Sequence, residues 1–190
     1  MPGIDKLPPE TLALWERLRR DKLLAGFVLI GGTALALRIA HRISEDLDFA
    51  YLGPQLPQRL LKKLVATLRS EGIALEAHPD VAAQEDFIDA GLDLADYQQN
   101  YLARLPTGTV KLSFVRFENA QTRLLAGDAS AALRIASLDE IFRLKALACS
   151  ERSKTRDWYD LYLLMTQHGY AGDDFYRAFV LAGRESNFDL

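Results

Sequence analysis

The stretch LIGGTALALRIAHRISEDLDFAYL, Leu29 to Leu52, decides the architecture because three local signals follow one another without a break. A short apolar run, Phe27 to Ile30, ends abruptly at Gly31-Gly32, as a buried strand does. Ala34 to Ala40 is good helix-forming sequence. DLDFAYL then alternates Asp46 and Asp48 with Leu47 and Phe49, so a strand there carries carboxylates on one face and apolar side chains on the other. Strand, glycine turn, helix and strand make a mixed α/β unit.

Working outward, Pro8 and Pro9 open a helix with Leu12, Trp15, Leu18 and Leu23-Leu24 at helical spacing, stopped by Gly26. Pro57 and Gly72 bracket another, with Leu60, Leu61, Leu64, Val65 and Leu68 as one stripe. Ile73 to His78 reads as a strand, and the acidic segment Asp80 to Asp96 as helical in pieces. QQNYLARLPTGTVKLSFVRF has the pattern of a hairpin turning at Pro106 to Gly108. After a linker come three more helices: Ser137 and Glu140 form a capping box for the first, Gly169 stops the second, and Asp173 or Asp174 caps the third. The fold expected is α+β, a small mixed sheet flanked by helices over residues 1–136, then a helical C-terminal region over 137–190 that packs on it or continues it.

The 190 residues are 49% hydrophobic and 26% charged with net charge -3, so no basic excess points to nucleic acid and any such partner needs a local patch. Cys149 is the only cysteine, which excludes an internal disulfide and a thiol zinc site. No apolar run approaches the roughly 20 residues of a membrane span, so a cytoplasmic protein is expected. His41, His78 and His168 share no metal-ligand spacing, and Ser44 and Ser113 lack a readable His and Asp arrangement. Basic residues cluster at Arg17, Arg19, Arg20 and Lys22, and at Arg59, Lys62, Lys63 and Arg69. Solvated helix faces account for both clusters; if RNA is an acceptor, one should line its path.

A glycine pair after a strand lets a ligand approach the backbone, and the free N–H groups of the next helix start seat phosphate; Thr33 adds a hydroxyl. The same pattern also serves as a plain tight turn. Asp46 and Asp48 lie about 7 Å apart at two strand rises. Charges that close call for protonation, solvation or a bridging cation, and Mg²⁺, which takes hard oxygens and shares them with substrate phosphates, suits the last. Further on, Lys145 falls in the apolar arc of Leu138, Ile141, Phe142, Ala148 and Cys149, with Asp139, Glu140 and Arg143 opposite. It must snorkel or meet an anion. In the next helix Trp158, Leu161, Tyr162, Leu164 and Met165 define an inner face. Asp157 lies between Leu164 and Leu161, where it also serves as an ordinary N-terminal dipole partner, and Asp160 stands beside it, further outward.

GGTALALRIAHRISEDLDF resembles the first motif of the AbiEii/AbiGii toxin group of the nucleotidyltransferase superfamily, a glycine-rich element, a spacer with Arg and Ser, then DxD. LDEIFRLKALACSERSKTRDWYDLYLL, Leu138 to Leu164, resembles its later motif, a single inward lysine followed by basic residues and an Asp-x-x-Asp-Leu helix. The resemblance implies a nucleotidyltransferase-type core and an enzyme that moves NMP from an NTP to an acceptor hydroxyl. Its cofactor would be Mg²⁺, with Mn²⁺ as a substitute. Asp46 and Asp48 would hold metal; Gly31, Gly32, Thr33, Arg42 and Lys145 would bind nucleotide; Asp157 would assist acceptor or metal. Arg152, Lys154 and Arg156 would lie near the cleft mouth. The implied setting is a bacterial toxin–antitoxin or phage-defence system, with tRNA as acceptor and a separate antitoxin protein as partner. Where the superfamily often carries a third carboxylate, VKLSF has Ser113, with Lys111 on the same face; Glu118 and Asp157 are the alternatives. Rival readings are a catalytically weak nucleotide-binding module of the same fold and a small-molecule, antibiotic-type nucleotidyltransferase.

Overall fold

The protein is described here by a computed structural model of residues 2–117 and 119–187. Glu118 lies outside the described residues. Among the described residues the fold is mixed α/β with one six-stranded sheet and eight α-helices, and the chain divides into two compact units, Met1–Arg116 with Gly127–Ile135, and Phe117–Ala126 with Ala136–Leu190.

In the first unit, helix α1 (Pro9–Leu18) leads to β1 (Phe27–Ile30), α2 (Gly31–Ile39), β2 (Leu47–Tyr51), α3 (Gln58–Ser70), β3 (Ala74–Ala77), α4 (Val81–Asp89), β4 (Gln98–Leu105) and β5 (Gly108–Arg116). The sheet order is β3-β4-β5-β2-β1-β6, where β6 is Arg134–Ile135. β1/β2, β3/β4 and β4/β5 run antiparallel, while β2/β5 and β1/β6 run parallel. The strand β6 falls in what the sequence reads as linker, because two residues carry no period to detect. Its approach is set by Gly26, whose φ is 79° and whose N–H donates to the Ala131 carbonyl at 2.6 Å.

The two-residue period of the strands gives the sheet one aromatic face. Phe49 stacks on Phe114 at 5.6 Å, Phe27 meets Phe114 edge-on at 5.5 Å, and Trp15 of α1 stacks on Phe49 at 6.4 Å. All four are at most 2% exposed, and removing each such ring from water contributes about 2–3 kcal/mol. In α3 the buried stripe is Leu61, Leu64, Val65 and Leu68; Leu60, expected with them, is exposed because its angle falls past the edge of that stripe. Helix α1 ends at Leu18, earlier than its apolar pattern suggests, and Asp21 then accepts the Leu23 N–H at 2.9 Å to start a separate 3₁₀ turn.

The second unit holds α5 (Asn119–Thr122), α6 (Leu138–Glu151), α7 (Thr155–Gln167) and α8 (Gly172–Ala182). Ser137 caps α6 and Glu140 returns the capping box. Glu140, placed on the outer arc by its angle, is buried. One of its carboxylate oxygens accepts the Ser137 N–H at 2.7 Å and the other the Ala126 N–H at 2.6 Å, so its burial is matched by hydrogen bonds. Phe142 stacks on Tyr170 at 4.3 Å, and the Tyr170 hydroxyl donates to Asp139 at 2.6 Å.

Helix α7 departs most from expectation. Trp158, Tyr162 and Met165, expected inside, are exposed, and the buried face is Asp157, Asp160, Leu161, Leu163 and Leu164. The helix is rotated so that its two carboxylates reach Lys145, an ionic demand that hydrophobic periodicity does not register.

Candidate active site

The glycine pair forms the first turn of α2 itself. Gly31 has φ 74°, open to glycine at little cost, and a Cβ there would stand 3.0 Å from Asp48 Oδ2. A Cβ on Gly32 would stand 2.7 Å from Arg42 Nη2 and 3.0 Å from Ser44 Oγ. The bare backbone of this turn therefore lies between the Asp48 carboxylate and the Arg42 guanidinium. The residue before the helix, Ile30, has no side chain able to cap it, and the Asp48 carboxylate stands beside the positive end of α2. Among the expected site residues Gly31, Gly32, Arg42 and Asp48 are thus gathered around one helix start, and Asp46 is tied to it through its backbone carbonyl.

Thr33 occupies a different place from a ligand contact. It is buried, and its hydroxyl bonds to both Ser44 Oγ, at 2.9 Å, and the Asp46 carbonyl. Since a hydroxyl has one proton to give, Thr33 donates to the carbonyl and accepts from Ser44. These bonds pin the backbone at Asp46 to the first turn of α2. Ser44, which the sequence offers only as a weak nucleophile candidate, is a strut.

Register extends the site across the sheet. Asp48 pairs with Ile30 on one side and Ser113 on the other, and Ser113 pairs with Asn100. Directly paired residues share a face, so Asp48, Ser113 and Asn100 form one polar row behind the aromatic core. Asp46 and Asp48 are half-buried, while Ser113 and Asn100 are buried. Asn100, missed by the sequence reading, has its Oδ1 buried without a hydrogen-bond partner. Among the described residues no group of three or more His, Cys, Asp or Glu side chains is placed to share a metal ion. Two carboxylates still suit Mg²⁺, which commonly takes its other oxygens from water and substrate phosphate.

The second unit contains Lys145 and Asp157, and they touch. Lys145 Nζ donates to Asp157 Oδ1 at 2.5 Å and lies 2.8 Å from Asp160 Oδ2; Arg152 Nε donates to the other oxygen of Asp157 at 3.0 Å. Asp160, expected further outward, is the most buried of the group at 0% exposure. The signal for it was present in the i, i+3 spacing of the two aspartates facing a lone inward lysine. Burial opposes ionisation of Asp157, but the Lys145 hydrogen bond and the charges of Lys145 and Arg152 outweigh it and hold the carboxyl below its ordinary range. The nearby Cys149 thiol is pushed up to about 11, by burial first and by the charge of Asp157 second, so it is a packing group and no nucleophile.

Three of the four residues of the basic cluster at the end of α1 pair with carboxylates. Arg17 forks onto Glu71 at 2.6 and 2.8 Å and reaches Asp21 at 2.9 Å, while Arg19 and Arg20 share Glu16. Among the described residues no helix is long and apolar enough to cross a membrane.

The chain is 25% identical over 165 residues to a protein of Aquifex aeolicus (strain VF5) described as uncharacterized, covering 87% of this chain and 70% of that one. It superposes on the crystal structure of JHP933 from Helicobacter pylori with a TM-score of 0.54 at 25% identity, covering 91% of this chain and 74% of that one. The family model described as nucleotidyl transferase AbiEii toxin, type IV TA system, matches residues 13–189. With that match spanning both motif regions, the chain belongs to the AbiEii family of nucleotidyltransferase toxins.

Proposed function

We propose that the protein is a Mg²⁺-dependent nucleotidyltransferase that moves a nucleoside monophosphate from an NTP to an acceptor hydroxyl. The acceptor oxygen bonds to the α-phosphorus as the α–β phosphoanhydride opens, and pyrophosphate and one proton are released. The observation that carries this reading is the Asp48 carboxylate set against Gly31 at the start of α2, where Ile30 supplies no side-chain cap. That juxtaposition offers backbone N–H groups for triphosphate beside a carboxylate pair for cation.

Asp46 and Asp48 would hold Mg²⁺, which when bound neutralises phosphate charge and favours the deprotonated acceptor. Gly31 and Gly32 would seat phosphate through their backbone, and Arg42 beside Gly32 would add a fixed positive charge. Thr33 and Ser44 would keep Asp46 in register with the turn. Lys145 and Asp157 enter the reading on family resemblance; within their own unit they form a charge cluster whose positive members, Lys145 and Arg152, match Asp157 and Asp160. Membership in a type IV toxin family supports a toxin restrained by a separate antitoxin protein, and tRNA is the proposed acceptor.

Incubation with labelled NTPs, Mg²⁺ and bulk tRNA tests this. Label should move to tRNA, and Asp48→Ala should reduce the rate at least 100-fold with folding unchanged by circular dichroism; transfer that persists in Asp48→Ala, or no transfer with any NTP, refutes it. Ser113 opposite Asp48 favours a second reading, a nucleotide-binding module without turnover. Calorimetry showing Mg²⁺-dependent NTP binding without product would select it.

A further inference from the structure

The outward surface of α7 carries rings and cations with no acid among them. Trp158, Tyr159, Tyr162 and Met165 are 49%, 45%, 61% and 38% exposed. Trp158, Tyr162 and Met165 fall at i, i+4 and i+7, one stripe of the helix, with Tyr159 alongside. At the N-terminal end Lys154 and Arg156 are exposed, and neighbouring Arg152 is half-exposed. The only acids of α7 are Asp157 and Asp160, both buried against Lys145. A chain of net charge -3 thus presents a positive aromatic face, because the internal ion cluster has drawn the negative groups of this helix inward.

Exposed large apolar side chains in a contiguous stripe mark an interaction surface. The chemistry that matches this one is a polyanion with open π-faces. Cations track phosphates, and Trp and Tyr stack on any base. The rise from Trp158 to Tyr162 is about 6 Å, near twice the roughly 3.4 Å stacking repeat of a nucleic-acid strand, so each ring can take a separate unstacked base. A duplex offers no such faces.

We infer that the α7 stripe of Trp158, Tyr159 and Tyr162, with Lys154 and Arg156 exposed at its N-terminal end, is a docking surface for single-stranded RNA. The surface itself asks for phosphates and open bases; the choice of RNA over DNA rests on the acceptor in the reading above.

The chain has two tryptophans, and Trp15, 2% exposed, supplies a constant background. A mixed-sequence single-stranded RNA 12-mer should quench Trp158 emission and raise the anisotropy of an end label, and the same RNA as a duplex should do neither. Trp158→Ala should weaken binding roughly tenfold, within the range of one lost stacked base, while Trp158→Phe restores most of it. Arg156→Ala should lower the salt slope by about 0.7, one phosphate contact on a single strand. The inference is overturned if the single strand does not bind, if it binds with no Trp158 quenching and unchanged affinity in Trp158→Ala, if only the DNA 12-mer binds, or if sedimentation shows a dimer of this chain that Trp158→Ala dissolves. Its failure is separable from that of the proposed reaction. RNA binding with Trp158 quenching but no label transfer would leave the docking surface and remove the enzyme; transfer to tRNA with no such binding would do the reverse.

Discussion

Lys145 shows how one side chain sets the chemistry around it. A single ammonium buried with two carboxylates is stable only as a set, since withdrawing one member strands the others in low dielectric. Lys145→Met should therefore cost about 3–5 kcal/mol in urea unfolding, because Asp157 and Asp160 would then face each other without their shared cation. The pH dependence has a definite sign. Asp157 is held below its ordinary range, so it adds stability above the unfolded carboxyl value of about 3.9, and that stability is lost as pH falls through the depressed folded value. Unfolding followed from pH 7 to pH 2 should show a steep acid limb, flattened in Asp157→Asn. The lone inward lysine was legible in the sequence; its two-carboxylate partnership was signalled only by the i, i+3 spacing of Asp157 and Asp160, which helical angle, assigning Asp160 outward, did not register.

Among the elements, β4 and β5 carry the sharpest lesson about register. Their turn has two residues, Pro106 and Thr107, with Leu105 paired to Gly108. The sequence allows a three-residue turn over Pro106 to Gly108, which would pair Asn100 with Phe114 and send one of them to the wrong face. The two-residue turn instead pairs Asn100 with Ser113 and so builds the polar row to Asp48. Ser113→Asp tests that row. A carboxylate directly opposite Asp48 should lower the metal-free Tm by about 2–4 °C through like-charge repulsion. Added Mg²⁺ should then raise the Tm by more than it does in the unsubstituted protein. A Tm indifferent to the substitution and to Mg²⁺ would show that the two positions do not face one ligand.

At the scale of the whole molecule the chain is interleaved. Phe117–Ala126 belongs to the second unit, Gly127–Ile135 returns to complete the first, and the helices from Ala136 onward complete the second. The return depends on Gly26, where an added Cβ would sit 2.5 Å from the Ala129 carbonyl oxygen. Backbone cannot step aside as a side chain can, and φ 79° adds its own strain. Gly26→Ala should cost about 2–3 kcal/mol, combining backbone strain with overpacking. Hydrogen exchange should show lost protection at the β1/β6 pairing, Val28 with Arg134 and Leu29 with Ile135. Equal protection in both proteins would mean that β6 holds its place without that contact.

The sequence by itself determined what is local. The apolar run, glycine turn and alternating carboxylates of Leu29 to Leu52 specify their strands and helix through periodicity and backbone freedom, and the capping box of α6 specifies its own start. Tertiary structure alone decided which residues meet: Thr33 against Asp46, Asn100 beside Ser113, Asp160 on Lys145, and the aromatic stripe of α7 turned to solvent. Those outcomes come from register and from pairing buried charge, and both depend on partners distant in the chain that no local pattern encodes.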